Sequence, residues 1–524
     1  MVLIFLLIVL VVGAVVCALA GKTNREMVRW IALVTTLLDL VLGGILLGMV
    51  SAGPVSINLP WVPRFGMSFH LEADGLAALM VLLTTVLGVV AVLISWDEIE
   101  KRPSAFYVWL LLLQTGILLV FVARDALLFY FGWEMMLIPL FFIIGIWGHE
   151  EKERAAYKFF LFTFTGSIFM LAALLYVYIR HGEQSGTYSF AIDDLVKTQL
   201  SAGEQWWIFL GLFLGFAVKV PLFPLHTWLP DAHTQAPTAG SLVLAGVLLK
   251  TGVYGLIRIA IPIAPKAAEV FAPFIIGLSF VGIYYGALVA FAQRDFKRLV
   301  AYSSISHLGF VVLGLFVGNA VGYQGAVLQM VNHGLATGGL FLLAGIIQHR
   351  VHTRNLEVFG GMWSLAPVMG AFLLFFSFAS LGIPGTGNFV GELYVIAGTF
   401  HLDRTLGALC ALAVLFAAAY SLRLFVATMH GPMVRPWRNF HDVHVHEVLA
   451  LAILCVGLVA IGLFPSFVTK PLYYPPDNLV PTFGRQAERV VQSSATKPMD
   501  TQHSQNAKNV SSGDHVSSTR EVSL

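Results

Sequence analysis

Glu134, Lys219, Lys250, His307, His333 and Glu392 share an unusual setting. Each is embedded in a run that is otherwise apolar: FYFGWEMMLIPLF around Glu134, GFAVKVPLFPLH around Lys219, LVLAGVLLKTGVYG around Lys250, YSSISHLGF around His307, QMVNHGLATGG around His333 and PGTGNFVGELYV around Glu392. A charge at the centre of a bilayer costs roughly 2.5–3.5 kcal/mol on insertion scales, so such residues mark ion or proton paths by default. Burial penalises the charged form of a lysine, and a neighbouring carboxylate restores it. A Glu–Lys pair therefore trades protonation as its separation changes, which is what a proton relay needs. Histidine titrates near neutrality and suits the step between such groups. Glu134, Lys219 and Lys250 all fall in the first half of the chain, and His307 and His333, placed between Lys250 and Glu392, suit a shuttle to Glu392. A single buried ion pair reads equally well as glue between helices. Two lysines, a glutamate and a broken helix together favour the relay.

The elements that hold these residues follow from composition. Of 524 residues, 58% are hydrophobic and 11% charged, whereas soluble domains average about a quarter charged. The mean hydropathy is +0.82. These values exclude a soluble enzyme and a disordered polymer, and continuous rather than alternating apolar runs argue against a membrane β-barrel. Net charge is +2, which implies no nucleic-acid partner. Cys17, Cys410 and Cys455 form no CxxC, so the chain is expected to hold no redox centre, no metal and no cofactor of its own. Fourteen stretches reach spanning length: about 2–20, 28–50, 73–95, 106–123, 126–147, 155–180, 206–229, 237–261, 271–292, 299–318, 322–348, 364–399, 407–429 and 447–467. The first reads as a span, since it lacks the basic flank of a cleaved signal. The fold class is thus all-α and polytopic, with about 14 transmembrane helices.

Two of the stretches are broken. The seventh holds Pro221, Pro224 and Pro230; the twelfth holds Pro384 amid Gly382, Gly385, Gly387 and Gly391, and is too long for one crossing. Proline removes a donor and clashes with the preceding turn. Unwound backbone survives at membrane depth only inside protein or along a wet cavity. Five spans separate the two breaks, so two five-helix repeats are expected, each with a discontinuous helix and inverted relative to the other. The predicted domains are 1–105 (helices 1–3), 106–261 (first repeat), 271–430 (second repeat), 447–467 (a final helix) and 485–524, a polar tail that cannot bury a core.

Loop charges set the expected orientation. Odd-numbered loops carry fifteen Lys and Arg: Lys22, Arg25, Arg29, Lys101, Arg102, Lys152, Arg154, Lys158, Arg294, Lys297, Arg298, Arg350, Arg354, Arg435 and Arg438. Even loops carry six: Arg64, Arg124, Arg180, Lys197, Lys266 and Arg404. By the positive-inside rule the odd loops are cytoplasmic. Both termini then lie on the opposite side, periplasmic in a bacterial inner membrane. Among the remaining charges, Asp39 lies outside the repeats. Arg423 reads as a snorkelling side chain, and Arg124 with Asp125 as interfacial. Asp231, His226 and His233 sit at a mouth beside the first break. His441, His444 and His446 have metal-like spacing but lie in a polar loop without cysteine.

FGWEMMLIPLFF, AVKVPLFPLHTWLPDAHTQAPTAGSLVLAGVLLKTGVYGLIR, RDFKRLVAYSSISHLGF, MVNHGLATGGLFLLAG and PGTGNFVGELYV closely resemble the antiporter-like membrane subunits of respiratory complex I. That family is shared with multisubunit cation/proton antiporters and membrane hydrogenases. The resemblance covers roughly residues 70–430. Glu392, where other branches of the family offer a lysine, selects one branch. The resemblance implies that Glu134 and Lys219 form the pair of an input half-channel and Lys250 the central lysine. His307 and His333 would pass the proton to a terminal Glu392. It further implies FMN, iron–sulfur clusters and quinone in other subunits, and neighbouring antiporter-like subunits and the lipid bilayer as partners. The alternatives are a subunit of a Na⁺/H⁺ antiporter, a subunit of a membrane-bound hydrogenase or formate-oxidising complex, and a scaffold whose charges only bind helices together.

Overall fold

The computed structural model describes residues 1–21, 24–433 and 440–472. The tail expected at 485–524 and the charges Lys22, Arg435 and Arg438 lie outside the described residues. Helices begin where a polar side chain satisfies the free amides of a first turn. Asn24 accepts from the Glu26 amide at 2.9 Å, Asp74 from Ala77 at 3.0 Å, Asp125 from Leu127 and Leu128, Asp295 from Arg298 and Asn319 from Gly322. Between these caps the side chains are long apolar runs, and the helices lengthen to membrane size.

An N-terminal group packs α1 (Val2–Ala20), α2 (Arg25–Val50), α3 (Gly75–Glu98) and α4 (Pro103–Val122) together. An antiparallel hairpin, β1 (Val55–Val62) and β2 (Met67–Ala73), joins α2 to α3 with Val55 opposite Ala73. The hairpin adds a small β element to the all-α plan expected from composition. Next come α5 (Ala126–Met135), α6 (Leu137–Trp147), the 34-residue α7 (Lys152–Ser185), the short α8 (Ile192–Lys197), α9 (Ala202–Lys219) and α10 (Trp228–Gln235). A rod over Thr238–Ile263 follows. It consists of α11 (Thr238–Val243), α12 (Leu249–Gly255) and α13 (Ile261–Ile263), joined by single π turns at Leu244–Leu248 and Leu256–Ala260. The remainder is α14 (Pro265–Ala292), α15 (Phe296–Phe316), α16 (Ala320–Val351), α17 (Pro367–Leu381), α18 (Gly387–Leu402), α19 (Arg404–Met429), α20 (Val445–Leu463) and α21 (Ser466–Thr469).

Twelve helical segments among the described residues are long and apolar enough to cross a bilayer. The chain is a multi-pass membrane protein. The two expected stretches missing from those twelve are the broken ones. One ends as α9 at Lys219 and resumes as α10 at Trp228. The other ends as α17 at Leu381, turns through Gly382 (φ +80°) and Gly385 (φ +94°), and resumes as α18. The rod and α16 are buried along their spanning windows, and α15 nearly so. By contrast α1, α2, α7 and α20 turn Phe5, Trp30, Leu161 and Val456 outward, the apolar exterior that lipid requires.

The two ends of the bundle differ. One carries the hairpin, the starts of α3, α5 and α9, and α8; the Arg124 amide donates to the His70 carbonyl at 2.9 Å there. The other carries Glu98, which accepts from the Thr238 amide at 3.0 Å, and the ion pairs Lys158–Asp231 at 2.6 Å and Arg354–Asp295 at 2.9 Å. Lys297, counted above among loop charges, is buried in the first turn of α15 and donates to the Ala236 carbonyl at 3.0 Å.

Candidate functional site

Glu134 sits where α5 gives way to α6. Pro139 has no amide to offer the Met135 carbonyl, so the ladder is interrupted beside the carboxylate. Glu134 is half-buried, and its Oε1 has no hydrogen-bond partner. Lys219 is the last residue of α9, two residues before Pro221, where the helix has stopped. It is buried, and its Nζ lies 5.1 Å from the centre of the Trp133 ring and 5.7 Å from that of Phe159, without a hydrogen-bond partner. The charge that acts on it is Glu134, yet the two form no direct ion pair among the described residues.

Lys250 lies on α12, between the two π turns. A π turn displaces the usual i→i−4 bonding, and such bulges recur at functional sites. The freed Ala245 carbonyl, five residues back, accepts from Lys250 Nζ. The same Nζ is 2.7 Å from His333 Nδ1 on α16. His333 Nε2 is buried and unpartnered, and its ring centre is 5.7 Å from that of His307 on α15. His307 Nδ1 meets Glu392 Oε1 on α18 at 3.1 Å. Lys250, His333, His307 and Glu392 therefore lie in contact order across four elements. Glu134 and Lys219 form a second, separate group at the α5–α6 junction and the end of α9.

The sequence reading missed the neutral groups around His307. Tyr420 on α19 places its hydroxyl 2.8 Å from His307 Nε2, and the Ser380 hydroxyl lies 3.2 Å from the same atom. Gln329 Nε2 donates to Glu392 Oε1 at 3.2 Å. Two glycines make room for this. Gly391 lets α18 press on Gln329, where an added Cβ would meet Gln329 Oε1 at 2.6 Å. The left-handed Gly382 ends α17 beside Glu392 Oε2. If Tyr420 donates to Nε2, His307 is the tautomer that carries its proton on Nδ1, facing Glu392. Tyr420→Phe should keep the fold, because Ser380 still serves Nε2. It should slow proton transfer about tenfold, the equivalent of roughly 1.4 kcal/mol for one hydrogen bond. Acidification rates in vesicles check this; an unchanged rate removes Tyr420 from the site.

The weaker candidates resolve differently. Asp39 is buried on α2 and accepts from Gln114 Nε2 at 2.9 Å, away from the string. His226 Nε2 is 3.3 Å from the Tyr285 hydroxyl. His233 stacks on Phe341 at 4.4 Å with both ring nitrogens unpartnered. Arg423 lies over Phe291 at 5.3 Å. His446 pairs with Asp97 at 3.2 Å, and His444 with Glu447 forms a capping box on α20. Cys17, Cys410 and Cys455 stand on α1, α19 and α20, and no group of three or more metal-ligating side chains gathers among the described residues. This donor set does not fit an iron–sulfur cluster.

Residues 123–417 match the family described as NADH:quinone oxidoreductase/Mrp antiporter, transmembrane. The chain is 44% identical over 485 residues to NADH-quinone oxidoreductase subunit M of Pseudomonas aeruginosa, covering 89% of this chain and 95% of that protein. It is 42% identical over 479 residues to the subunit M of Escherichia coli K12, covering 88% and 94%. Among solved structures, a chain of respiratory complex I from Thermus thermophilus with bound NADH superposes with a TM-score of 0.83 at 33% identity. That match covers 93% of this chain and 100% of the other.

Proposed function

The chain belongs to the NADH:quinone oxidoreductase/Mrp antiporter transmembrane family, and from that premise we propose that Glu134, Lys219, Lys250, His333, His307 and Glu392 are the groups that carry its proton. It is a proton-translocating, antiporter-like membrane subunit of NADH-quinone oxidoreductase, of the subunit M type. The observation that carries the residue assignment is the string Lys250–His333–His307–Glu392, in which four titratable side chains from four elements touch in sequence inside an apolar bundle.

Glu134 and Lys219 would load the proton at the broken end of α9. Lys250 would take it and hand it from Nζ to His333 Nδ1. The unpartnered His333 Nε2 would supply the next step, to His307, and Nδ1 of His307 would deliver to Glu392. Each transfer moves a proton between lone pairs, and no electron passes through this chain. The flavin, iron–sulfur clusters and quinone belong to other subunits on this reading, and the neighbours of this chain are further antiporter-like subunits. The two repeats, 106–261 and 271–430, would be inverted copies, each contributing one broken helix to the path. The membrane would be the bacterial inner membrane, with both termini periplasmic.

The first test is to tag the chain, extract it gently and ask whether NADH–quinone reductase activity co-purifies in one large complex. A large complex that transports sodium and lacks NADH activity would transfer the chain to the antiporter reading. Lys250→Ala then separates relay from scaffold. A relay loses NADH-driven acidification with the complex still assembled, whereas a scaffold loses assembly.

A further inference from the structure

The rod that carries Lys250 runs on toward the hairpin face of the bundle. Arg258 lies eight residues beyond Lys250, about 12 Å along a helix, and Tyr254 lies between them. The Arg258 guanidinium sits 5.3 Å from the centre of the Tyr254 ring, so the two share one side of the rod. Tyr254 donates its hydroxyl to the Phe121 carbonyl at 2.6 Å, and both residues are buried. Arg258 is ion-paired to Asp74, the cap of α3, while its Nε has no partner. Burial works to raise the Asp74 carboxyl, but Arg258 beside it holds it below the usual carboxylate range. Beyond the pair, Arg124 bonds Asp193 at 2.7 Å and Glu72 at 3.4 Å. A cavity of about 10 Å³ among Glu72, Asp74, Arg124, Tyr254 and Arg258 has room for about one water.

A relay lysine that opened to both faces at once would let protons run back down the gradient. A guanidinium is a poor stepping stone, since it does not give up its proton in proteins. Its fixed charge also repels an arriving hydronium, as arginine does in channels that exclude protons. We propose that the Arg258–Asp74 pair, stacked on Tyr254, seals the hairpin-face end of the Lys250 rod against protons, so that the first repeat communicates with one face only. This rests on Lys250 belonging to the relay.

The test uses the whole complex in sealed vesicles. Arg258→Gln with Asp74→Asn removes both charges together, so no lone charge is left buried, and asparagine still caps α3. With NADH exhausted, the pH gradient should decay several-fold faster than in wild type, and uncoupler should stimulate NADH oxidation less. Adding Lys250→Ala should return the decay to the wild-type rate, because the leak has lost its route. A merely structural pair would lower complex content without that dependence on Lys250. If the double variant does not assemble, Arg258→Lys keeps the cation but introduces an amine able to exchange its proton, and a smaller leak is expected. Wild-type tightness in an assembled variant, or a leak that persists without Lys250, overturns the seal. Wild-type pumping by Lys250→Ala alone would instead overturn the relay on which it rests.

Discussion

Lys219→Ala should abolish NADH-driven proton transfer while leaving the complex assembled. The site explains both halves. Lys219 Nζ has no hydrogen-bond partner and rests on the faces of Trp133 and Phe159, contacts worth up to about 2 kcal/mol when desolvated. Removing a buried amine that has no hydrogen-bond partner offsets much of the packing lost with its stem. Stability therefore changes little. The chemistry depends on this position, because Glu134 is the charge that acts on Lys219 and the helix stops two residues later at Pro221. A positioned proton-transfer group contributes roughly 10²–10⁴-fold, so a loss of at least about a hundredfold is expected. Lys219→Arg is the decisive companion. It keeps a cation over Trp133 but holds a proton it does not release, and it should be as inactive as alanine. Glu134→Asp keeps a carboxylate and should retain most activity. The readouts are acidification of inverted vesicles and the amount of complex in the same membranes. Normal pumping by Lys219→Arg would make Lys219 a structural cation.

The charged members of the site were legible because the background is apolar. In a bundle with 11% charged residues, a lysine in GFAVKVPLFPLH stands out, and its cost in lipid gives it meaning. The breaks were legible for a similar reason, since proline and glycine clusters have no part in a plain span. Tyr420, Ser380 and Gln329 were not legible. Neutral polar residues cost less in lipid and recur throughout the helices, so only the 2.8 Å approach of Tyr420 to His307 marks it out. The π turn before Lys250 leaves no trace in LVLAGVLLKTGVYG; its signal is the Ala245 carbonyl that the lysine itself occupies. Lys297 was misplaced because RDFKR reads as a loop, whereas Asp295 caps a helix there and the lysine turns inward. The hairpin was missed because the stretch after α2 was treated as connection, although alternation about the turn at Gly66 was present in SINLPWVPRFGMSFHLEA.

Glu392→Gln should leave a folded, assembled complex that has lost proton release. The substitution is nearly isosteric, so the space that Gly382 and Gly391 leave around the side chain remains correctly filled. A glutamine oxygen still accepts from Gln329 Nε2, which bonds Glu392 Oε1 at 3.2 Å, or from His307 Nδ1, at 3.1 Å. Hydrogen bonding is thus largely preserved, and a neutral amide is cheaper to bury than a carboxylate. What disappears is the capacity to receive the proton that His307 presents, and a loss of roughly 10²-fold or more in proton transfer is expected. Glu392→Asp retracts the carboxylate by one methylene from His307 and should fall between glutamine and wild type. The pair of variants separates two roles for one residue. If Glu392 only anchors His307, glutamine should work better than aspartate, since it keeps the reach. If Glu392 titrates, aspartate should work better than glutamine. The order of the two rates decides between them, and it does so independently of Lys219, which stands in a separate group at the end of α9.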